Sequence, residues 1–510
     1  MDQKILNKIK TPKALSKVVS KLKEKGKVVV HCHGVYDLVH LGHIRHFGLA
    51  KAEGDVLVVS ITRDKFVRKG PGRPIFNEHL RAETLASLAM VDYVSIVDHP
   101  TAVEFIKTVK PSVYVKGSEY RAKDKDVTGK IYDEEDAVTS VGGRLAFTDD
   151  ITFSSSKIIN NVLDVFPPRT QKYLKAIGKR YPIEKIQSAI DGLKDLKVLV
   201  IGDAIVDEYH YCQPMGKSSK GEVLVNRYHS EESFAGGALA TANNVASVCE
   251  RVDLLTVLGK DNTYQSFIED HLSPNIRPIF IERSLSSTTV KRRYVSKGTN
   301  RKLFEICYME DCFIQKREES KVLTQLKKKI GQYDVVIVSD FGHGLMTPRI
   351  IDFICEKAKY LAINVQTNGA NAGFNIVTKY PRANCVCVDE MELRFAAQDK
   401  FGDVRGLSKQ IYQEIGCDHI IATRGPYGSL CYSKEHGYHE TPAFSNNVVD
   451  AIGAGDAFFA FVAPCFVAGM PPELVSFIGN AVGSLAVQIV CNRQPVDSVN
   501  LIKFIMRLLK

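Results

Sequence analysis

Residues 449–458 read Val449-Asp450-Ala451-Ile452-Gly453-Ala454-Gly455-Asp456-Ala457-Phe458, and their reading decides the fold of the larger part of the chain. Two glycines in a Gly-Ala-Gly-Asp run permit a tight turn of backbone amides. The apolar helix expected from Phe458 to Val467 aims its N-terminus at that turn. Gly453, Ala454 and Gly455 are therefore expected to form an anion hole for a transferring phosphoryl group. Asp456, at its mouth, is placed to accept the proton of an alcohol nucleophile. No Gly-Lys-Ser/Thr follows, so the turn is not a Walker A loop. A glycine turn with an aspartate N-cap is the bland alternative.

Upstream, a series of apolar strands each end in an acidic or glycine-rich cluster. Lys197–Gly202 runs into Asp203 and Asp207. Gly236 and Gly237 open a helical stretch that reaches Ser247 and contains Asn244. Ser339-Asp340-Phe341-Gly342 follows Val335–Val338, Asp389-Glu390-Met391-Glu392 follows Cys385–Val388, and Thr423-Arg424-Gly425-Pro426-Tyr427-Gly428 follows Ile420–Ala422. Open α/β sheets bind ligands at the carboxyl ends of their strands. Asp389 and Glu392, three apart, share a helix face suited to a hydrated Mg²⁺. The amide-rich segment Asn364 to Asn371 has no role assignable from sequence.

The first third of the chain repeats the strand–turn–helix logic with different chemistry. Lys27–His31 is a β-branched run expected as a buried parallel strand. It leads into His33-Gly34-Val35-Tyr36-Asp37-Leu38-Val39-His40-Leu41-Gly42-His43, with a helix expected from Ile44 to Ala52. His40 and His43 share one face of the first turn, and Gly42 lets a phosphate approach the backbone. Two imidazoles beside a helix N-terminus can donate to a triphosphate and stabilise charge developing on it. Thr152-Phe153-Ser154-Ser155-Ser156-Lys157 places three serine hydroxyls and an ammonium at an expected helix start, a second phosphate cradle. Lys69-Gly70-Pro71-Gly72-Arg73-Pro74 between them is a rigid basic loop.

Strands and helices alternate through both parts, the pattern of doubly wound α/β sheets. The chain of 510 residues accommodates two such domains. We place a basic N-terminal helix at 1–26, a first domain at 27–165, a charged helical connector at 166–195 beginning at Pro167-Pro168, and a second domain at 196–510. Composition is that of a folded soluble protein: 45% hydrophobic, 25% charged, with 36 Gly and 19 Pro. This excludes disordered, collagen-like and coiled-coil chains. The formal charge of +10 suits anionic ligands without naming one. The chain has no Trp and no arginine cluster, which speaks against a nucleic-acid binder. The uncharged run from Ala457 to Met470 is too short for a membrane span, the first residues lack a signal-peptide core, and the scattered cysteines suit a reduced compartment. The location expected is cytoplasmic.

Residues from about 27 to 160 resemble the H-x-G-H nucleotidylyltransferases. The resemblance rests on Gly34–His43, Lys69–Pro74, Arg81 within Glu78–Leu85, Lys116–Tyr120 and Ser154–Lys157. It implies that His40 and His43 hold the transition-state phosphates and that Lys157 closes on the nucleotide. Gly34 and Asp37 would shape the turn; Gly42, Ser154, Ser155, Ser156 and Arg81 would contact the nucleotide, and Lys116 the sugar. Residues from about 196 to 510 resemble the ribokinase-like (PfkB) carbohydrate kinases, with a small β lid over Val206–Glu232 that implies a homodimer. By that resemblance Asp456 is the general base. Asp203, Asp207, Gly236, Gly237 and Asn244 would face the sugar, Thr423, Gly425 and Gly428 would lie under ATP, and Asp389 and Glu392 would organise magnesium-bound water.

Together the halves are similar to the bifunctional heptose 7-phosphate kinase/heptose 1-phosphate nucleotidylyltransferases. That family implies Mg²⁺, ATP and a second nucleoside triphosphate, ATP or CTP, acting on sugar phosphates for lipopolysaccharide or capsule precursors. The order here is reversed, with the kinase second. Ala240, His343 and Ala451 also depart from the pattern, where Asn, Lys and Thr are usual. Two further readings stand beside this one: a kinase/cytidylyltransferase for another sugar or polyol, and an inactive nucleotide-binding assembly protein.

Overall fold

The computed structural model describes residues 3–67, 73–117, 130–148, 166–369, 371–445 and 447–509. It divides into two compact units, Met1–Pro167 and Pro168–Leu509.

In the first unit, β1 (Val29–Gly34), β2 (Val56–Thr62), β3 (Tyr93–Val97), β4 (Val113–Gly117) and β5 (Arg144–Thr148) form a parallel sheet of order β3-β2-β1-β4-β5. The middle strands are apolar on both faces because helices cover both. Phe47, Ala82, Leu85 and Ala86 pack on one side. On the other, the basic N-terminal segment does more than lead into the first strand. Its helix Pro12–Glu24 buries Leu15 and Val19 against Val29, Val58, Val97 and Phe105. Thr11 caps it by accepting from Ala14 N, and the lysines occupy its outer face. Strand order reverses at β1, flanked by β2 and β4, so the turn after β1 sits at the switch point where such sheets bind ligands.

The second unit is built on a nine-stranded sheet of order β10-β9-β6-β13-β14-β15-β16-β17-β18. Its strands are β6 (Lys197–Gly202), β9 (Arg251–Asp261), β10 (Ile276–Ser287), β13 (Val335–Asp340), β14 (Leu361–Val365), β15 (Cys385–Asp389), β16 (His419–Thr423), β17 (Ser429–Ser433) and β18 (Gly437–Thr441). Neighbouring strands pair in parallel up to β16, and β17 pairs antiparallel with both β16 and β18, so β17 alone runs against the rest. The switch point lies between β6 and β13. A separate four-stranded sheet of order β12-β11-β7-β8 is the lid, made of β7 (Ala204–Lys217), β8 (Leu224–Gly237), β11 (Thr289–Ser296) and β12 (Lys302–Tyr308). The segment Val206–Glu232 supplies only half of it. Its second half is the hairpin of β11 and β12, which turns at Gly298 and Asn300 and joins the first half through the parallel pairing of β11 with β7.

The connector is folded rather than loose. Helices Pro168–Arg180 and Ile183–Asp191 pack on the second unit, with Tyr173 OH bonded to Thr441 Oγ1 at 3.2 Å and its ring tilted against Phe444 and Phe477. The twelve cysteines form no disulfide, and ten are buried. No helix among the described residues is long and apolar enough to cross a membrane.

Candidate active sites

The turn after β1 is assembled from its own side chains. The helix starts at Leu41, earlier than expected, with His40 as its N-cap. His40 Nδ1 accepts from Gly42 N at 3.2 Å, which fixes the ring. The His40 and His43 rings stack with centroids 4.0 Å apart, and Tyr36 braces His43 edge-on at 5.2 Å. A β-carbon at Gly34 would press on the Tyr36 ring. Burial lowers the His40 pKa, favouring the neutral imidazole, and its buried Nε2 has no hydrogen-bond partner among the described residues. A polar atom so placed is free to bond a ligand or a water molecule.

Asp37 accepts from Ile75 N at 2.7 Å, Phe76 N at 3.1 Å and Arg73 NH1 at 3.3 Å. It thus joins the turn to the chain that leaves the basic loop. Arg73 NH2 is buried and without a partner among the described residues. Two expected ligand contacts sit elsewhere. Arg81 is fully buried, and its guanidinium bonds Phe76 O, Thr62 O and Asp64 Oδ1 at 3.0, 2.8 and 2.6 Å. It braces the turn from behind instead of reaching a nucleotide. Lys116 pairs with Glu134 at 2.8 Å, a carboxylate that also accepts from Tyr114 OH. Ser154, Ser155, Ser156 and Lys157 lie outside the described residues, as does the loop 68–72.

In the second unit, Gly453 has φ 82 and precedes helix Ala454–Val467. Only glycine adopts this conformation freely, and a β-carbon there would collide with Asn492. Ala454 N donates to Ala451 O at 3.3 Å, so of the expected anion hole the Gly455 end is the open one. Asp456 is buried in the first helical turn. Burial, then the charge of Asp207, raises its pKa to about 7. Gln366 Nε2 donates to Asp456 Oδ1 at 2.9 Å and fixes the carboxylate, so the amide-rich segment reaches this turn through Gln366. Asn368 and Asn371 both donate to Phe341 O, and Asn364 to Cys387 O, so those three are scaffold.

Asp450 has a role that its place in the glycine motif concealed. It accepts from Lys302 Nζ at 2.6 Å and Tyr209 OH at 2.7 Å, both on lid strands, and from Ile452 N and Cys491 N, each at 3.1 Å.

The sugar-facing expectations divide. Asp207 and Gly236 lie together, since a β-carbon at Gly236 would strike Asp207 Oδ2, and Asp207 Oδ1 accepts from Arg293 at 2.5 Å. Gly237, with φ 59, turns the chain into helix Ala238–Ala246. Asp203 instead accepts from Phe341 N, His343 N and Leu345 N at 3.0, 3.2 and 3.4 Å. Its carboxylate is spent on the loop after β13. Asn244 is likewise internal, accepting from Val496 N at 3.0 Å and donating to Ala240 O at 2.9 Å.

Asp389 and Glu392 form a reciprocal capping box, and Glu392 Oε1 also accepts from Thr367 N at 3.0 Å. Burial and the Asp389 charge push the Glu392 pKa up to about 8. With their near lone pairs on backbone amides, the two fit a hydrated cation through its water better than direct ligation. Thr423 ends β16 opposite Asp389. Gly425 and Gly428 have φ 52 and 87, and a β-carbon at Gly428 would meet Thr441 O.

A family model described as pfkB family carbohydrate kinase matches residues 195–495, and one described as cytidylyltransferase-like matches residues 31–161. A protein of Geobacter metallireducens named bifunctional protein HldE is 38% identical over 174 residues, 34% of this chain and 32% of that one. Its namesake in Pelobacter propionicus is 34% identical over 309 residues, 60% of this chain and 62% of that one. The chain thus matches less than two thirds of the length of either. The crystal structure of phosphofructokinase-2 from Escherichia coli superposes with a TM-score of 0.51 at 13% identity, over 62% of this chain and all of that one. At that identity it speaks for the fold.

Proposed function

Since the chain belongs to the pfkB family of carbohydrate kinases, we propose that its second unit phosphorylates the anomeric hydroxyl of a sugar phosphate of the heptose 7-phosphate type. In the same proposal the first unit joins the resulting sugar 1-phosphate to a nucleotidyl group, releasing pyrophosphate. The observation that carries the kinase half is Asp456. It is buried at a helix N-terminus beside a glycine turn, oriented by Gln366, with a proton affinity near neutral. A carboxylate of that kind takes the proton of an attacking hydroxyl while the Gly455 end of the turn receives phosphoryl oxygens. Magnesium carried with ATP would neutralise phosphate charge, held through water by Asp389 and Glu392.

For the transferase half, the stacked pair His40 and His43 faces the α- and β-phosphates as charge builds on them, and no covalent intermediate is required. ATP and CTP are both admissible donors. Ala240 and His343, where the resemblance leads one to look for Asn and Lys, favour a second reading in which the acceptor is a different sugar or polyol. Met215, Val223, Leu224 and Tyr228 are exposed on the lid, which supports a homodimer through that sheet.

The test is mass spectrometry of products from pooled sugar 7-phosphates incubated with ATP and CTP. A sugar bisphosphate and a nucleotide sugar are expected; absence of both across the panel defeats the reading.

A further inference from the structure

Small-molecule sites are concave, of roughly 300–1,000 Å³, and combine apolar ring faces with a few polar groups that the fold leaves unspent. The second unit holds a cavity of about 500 Å³ that neither Asp207 nor Asp456 lines. Its walls come from four stretches of chain: the lid stem at Glu232 and Phe234, helix Ala238–Ala246 at Asn243, helix Gln265–His271, and the C-terminal loop at Asn492 and Arg493. These walls are held in place by the protein itself. Asn243 donates to His271 O at 2.9 Å and accepts from Ser273 N at 2.8 Å, which ties the end of one helix to the side of the other.

Three side chains on these walls have one part committed to the protein and one part open. Tyr211 OH and Arg493 NH2 both donate to Glu232 Oε2; among the described residues nothing donates to Oε1. The Arg493 guanidinium lies over the Phe234 ring, with Cζ 5.7 Å from the centroid, and among the described residues its Nε and NH1 have no acceptor. Phe267 O can only accept, so His271 Nδ1, 2.7 Å away, carries a proton, and the neutral ring keeps a lone pair at Nε2. That ring lies against Phe267, centroids 4.1 Å apart. The cavity thus offers aromatic faces, an open carboxylate oxygen for hydroxyl groups and open guanidinium donors for an anion. A heteroaromatic base, a ribose diol and a phosphate present the complementary features in one molecule.

The same walls reach the catalytic turn. The Asn492 carboxamide fills the space in which a β-carbon at Gly453 would sit, and Cys491 N, one residue before it, donates to Asp450 at 3.1 Å. A ligand that draws Asn492 into the cavity unloads Gly453 on the other side.

We propose that this cavity is a regulatory nucleotide site of the second unit, separate from its catalytic cleft. A nucleoside 5′-phosphate stacks its base against His271 and Phe267, sets its ribose hydroxyls on Glu232 Oε1 and places its phosphate on Arg493. No covalent bond is made or broken there. Occupancy loosens the Asn492 contact on Gly453 and lowers the kinase rate. The binding stands on the cavity alone, and the effect on rate rests on the kinase reading. Two sources present this chemistry: the adenine nucleotides around the kinase and the nucleotide sugar of the first unit.

The experiment measures binding of adenosine, AMP, CMP and ADP-glucose to full-length wild type, Arg493→Met, Arg493→Lys and His271→Ala. Arg493 and Glu232 are each about half exposed, so breaking their pair is expected to leave the unliganded melting temperature near that of wild type. AMP is expected to bind wild type tighter than adenosine does. Arg493→Met should weaken AMP about tenfold, as for loss of one charge-assisted hydrogen bond, with adenosine unchanged and Arg493→Lys recovering part. His271→Ala should weaken both alike. The tightest of AMP, CMP and ADP-glucose identifies the base and the source. AMP should also lower the kinase kcat/KM of wild type for its sugar. The inhibition that Arg493→Met retains is competition with ATP, and the rest should be gone; Asn492→Ala should bind AMP and lose the same part. Equal nucleotide affinities in wild type, Arg493→Met and His271→Ala overturn the site. Arg493-dependent binding with fully Arg493-independent inhibition overturns the regulation. If wild type phosphorylates no sugar while binding still depends on Arg493, the kinase reading fails and the nucleotide site stands.

Discussion

The Gln366 side-chain amide lies 2.9 Å from Asp456 Oδ1, joining the loop after β14 to the first turn of the helix that follows the glycine motif. The N–H it donates favours the ionised carboxylate against the burial that favours the acid. Gln366→Ala removes that donor, so the proton affinity of Asp456 rises further. The acid limb of the kcat/KM pH profile, expected near neutral in wild type, should move to higher pH, and the rate at pH 7 should fall by about tenfold, as for loss of one charge-assisted hydrogen bond. A variant with an unmoved profile would show that the amide does not tune the base.

Asp456→Asn separates the two activities and also tests the sign of the shift. It should abolish sugar phosphorylation and leave pyrophosphate release from supplied sugar 1-phosphate intact. The folded pKa of about 7 stands above the ordinary 3.8, so the native state binds a proton that the unfolded chain releases. The wild type therefore loses stability as pH rises from about 4 to 7, and the full deficit is present above 7. The asparagine variant lacks that penalty. Its melting temperature should exceed that of wild type at pH 8, with the gap closing at pH 4. A constant gap across that range would place the proton elsewhere.

His40→Ala and His43→Ala should each slow nucleotidyl transfer by about 10²-fold, the usual loss when one preorganised donor is removed, and leave sugar phosphorylation unchanged. Arg81→Ala should behave differently. Its buried guanidinium holds Phe76 O, Thr62 O and Asp64, so the variant should melt earlier. An Arg81→Ala protein of wild-type stability and impaired nucleotide KM would return that residue to the ligand.

What sequence could reveal here was local. Gly453 to Asp456 and His40 to His43 are contiguous segments after apolar strands, and their backbone demands are written in adjacent residues. Whether a polar side chain faces a ligand or the protein's own amides is decided by distant chain. Asp203 and Asp207 look alike in sequence, yet the loop 341–345, which β13 brings beside β6, saturates the first and leaves the second beside Gly236. Asn244 was likewise claimed by Val496. The lid's β11 and β12 form a hairpin around Gly298 and Asn300, but which sheet that hairpin joins, and so where Lys302 lies, is set by the distant pairing of β11 with β7.

Asp450 is where that distant chain controls the glycine turn, and its removal is the most direct check of the arrangement. Lys302 and Tyr209 come from the lid, Ile452 from the turn and Cys491 from the C-terminal loop, and all four donate to one carboxylate. Burial would raise its pKa, but the bonds from Lys302 and Tyr209 outweigh it and hold the pKa below 3.8. Its contribution to stability is therefore fully present above about pH 4 and is lost as the carboxylate protonates at lower pH. Asp450→Ala strands four donors. It should lower the melting temperature, reduce sugar-kinase kcat more than tenfold, and leave nucleotidyl transfer at the wild-type rate. Asp450→Asn retains acceptance through one oxygen and should recover part of both losses. Lys302→Met removes the lid's charged hold on the turn, so it should raise the sugar KM and lower the melting temperature, by less than Asp450→Ala does. If Asp450→Ala keeps full kinase kcat, the amides of the turn are set by Gly453 and Asn492 alone, and the lid plays no part in shaping them.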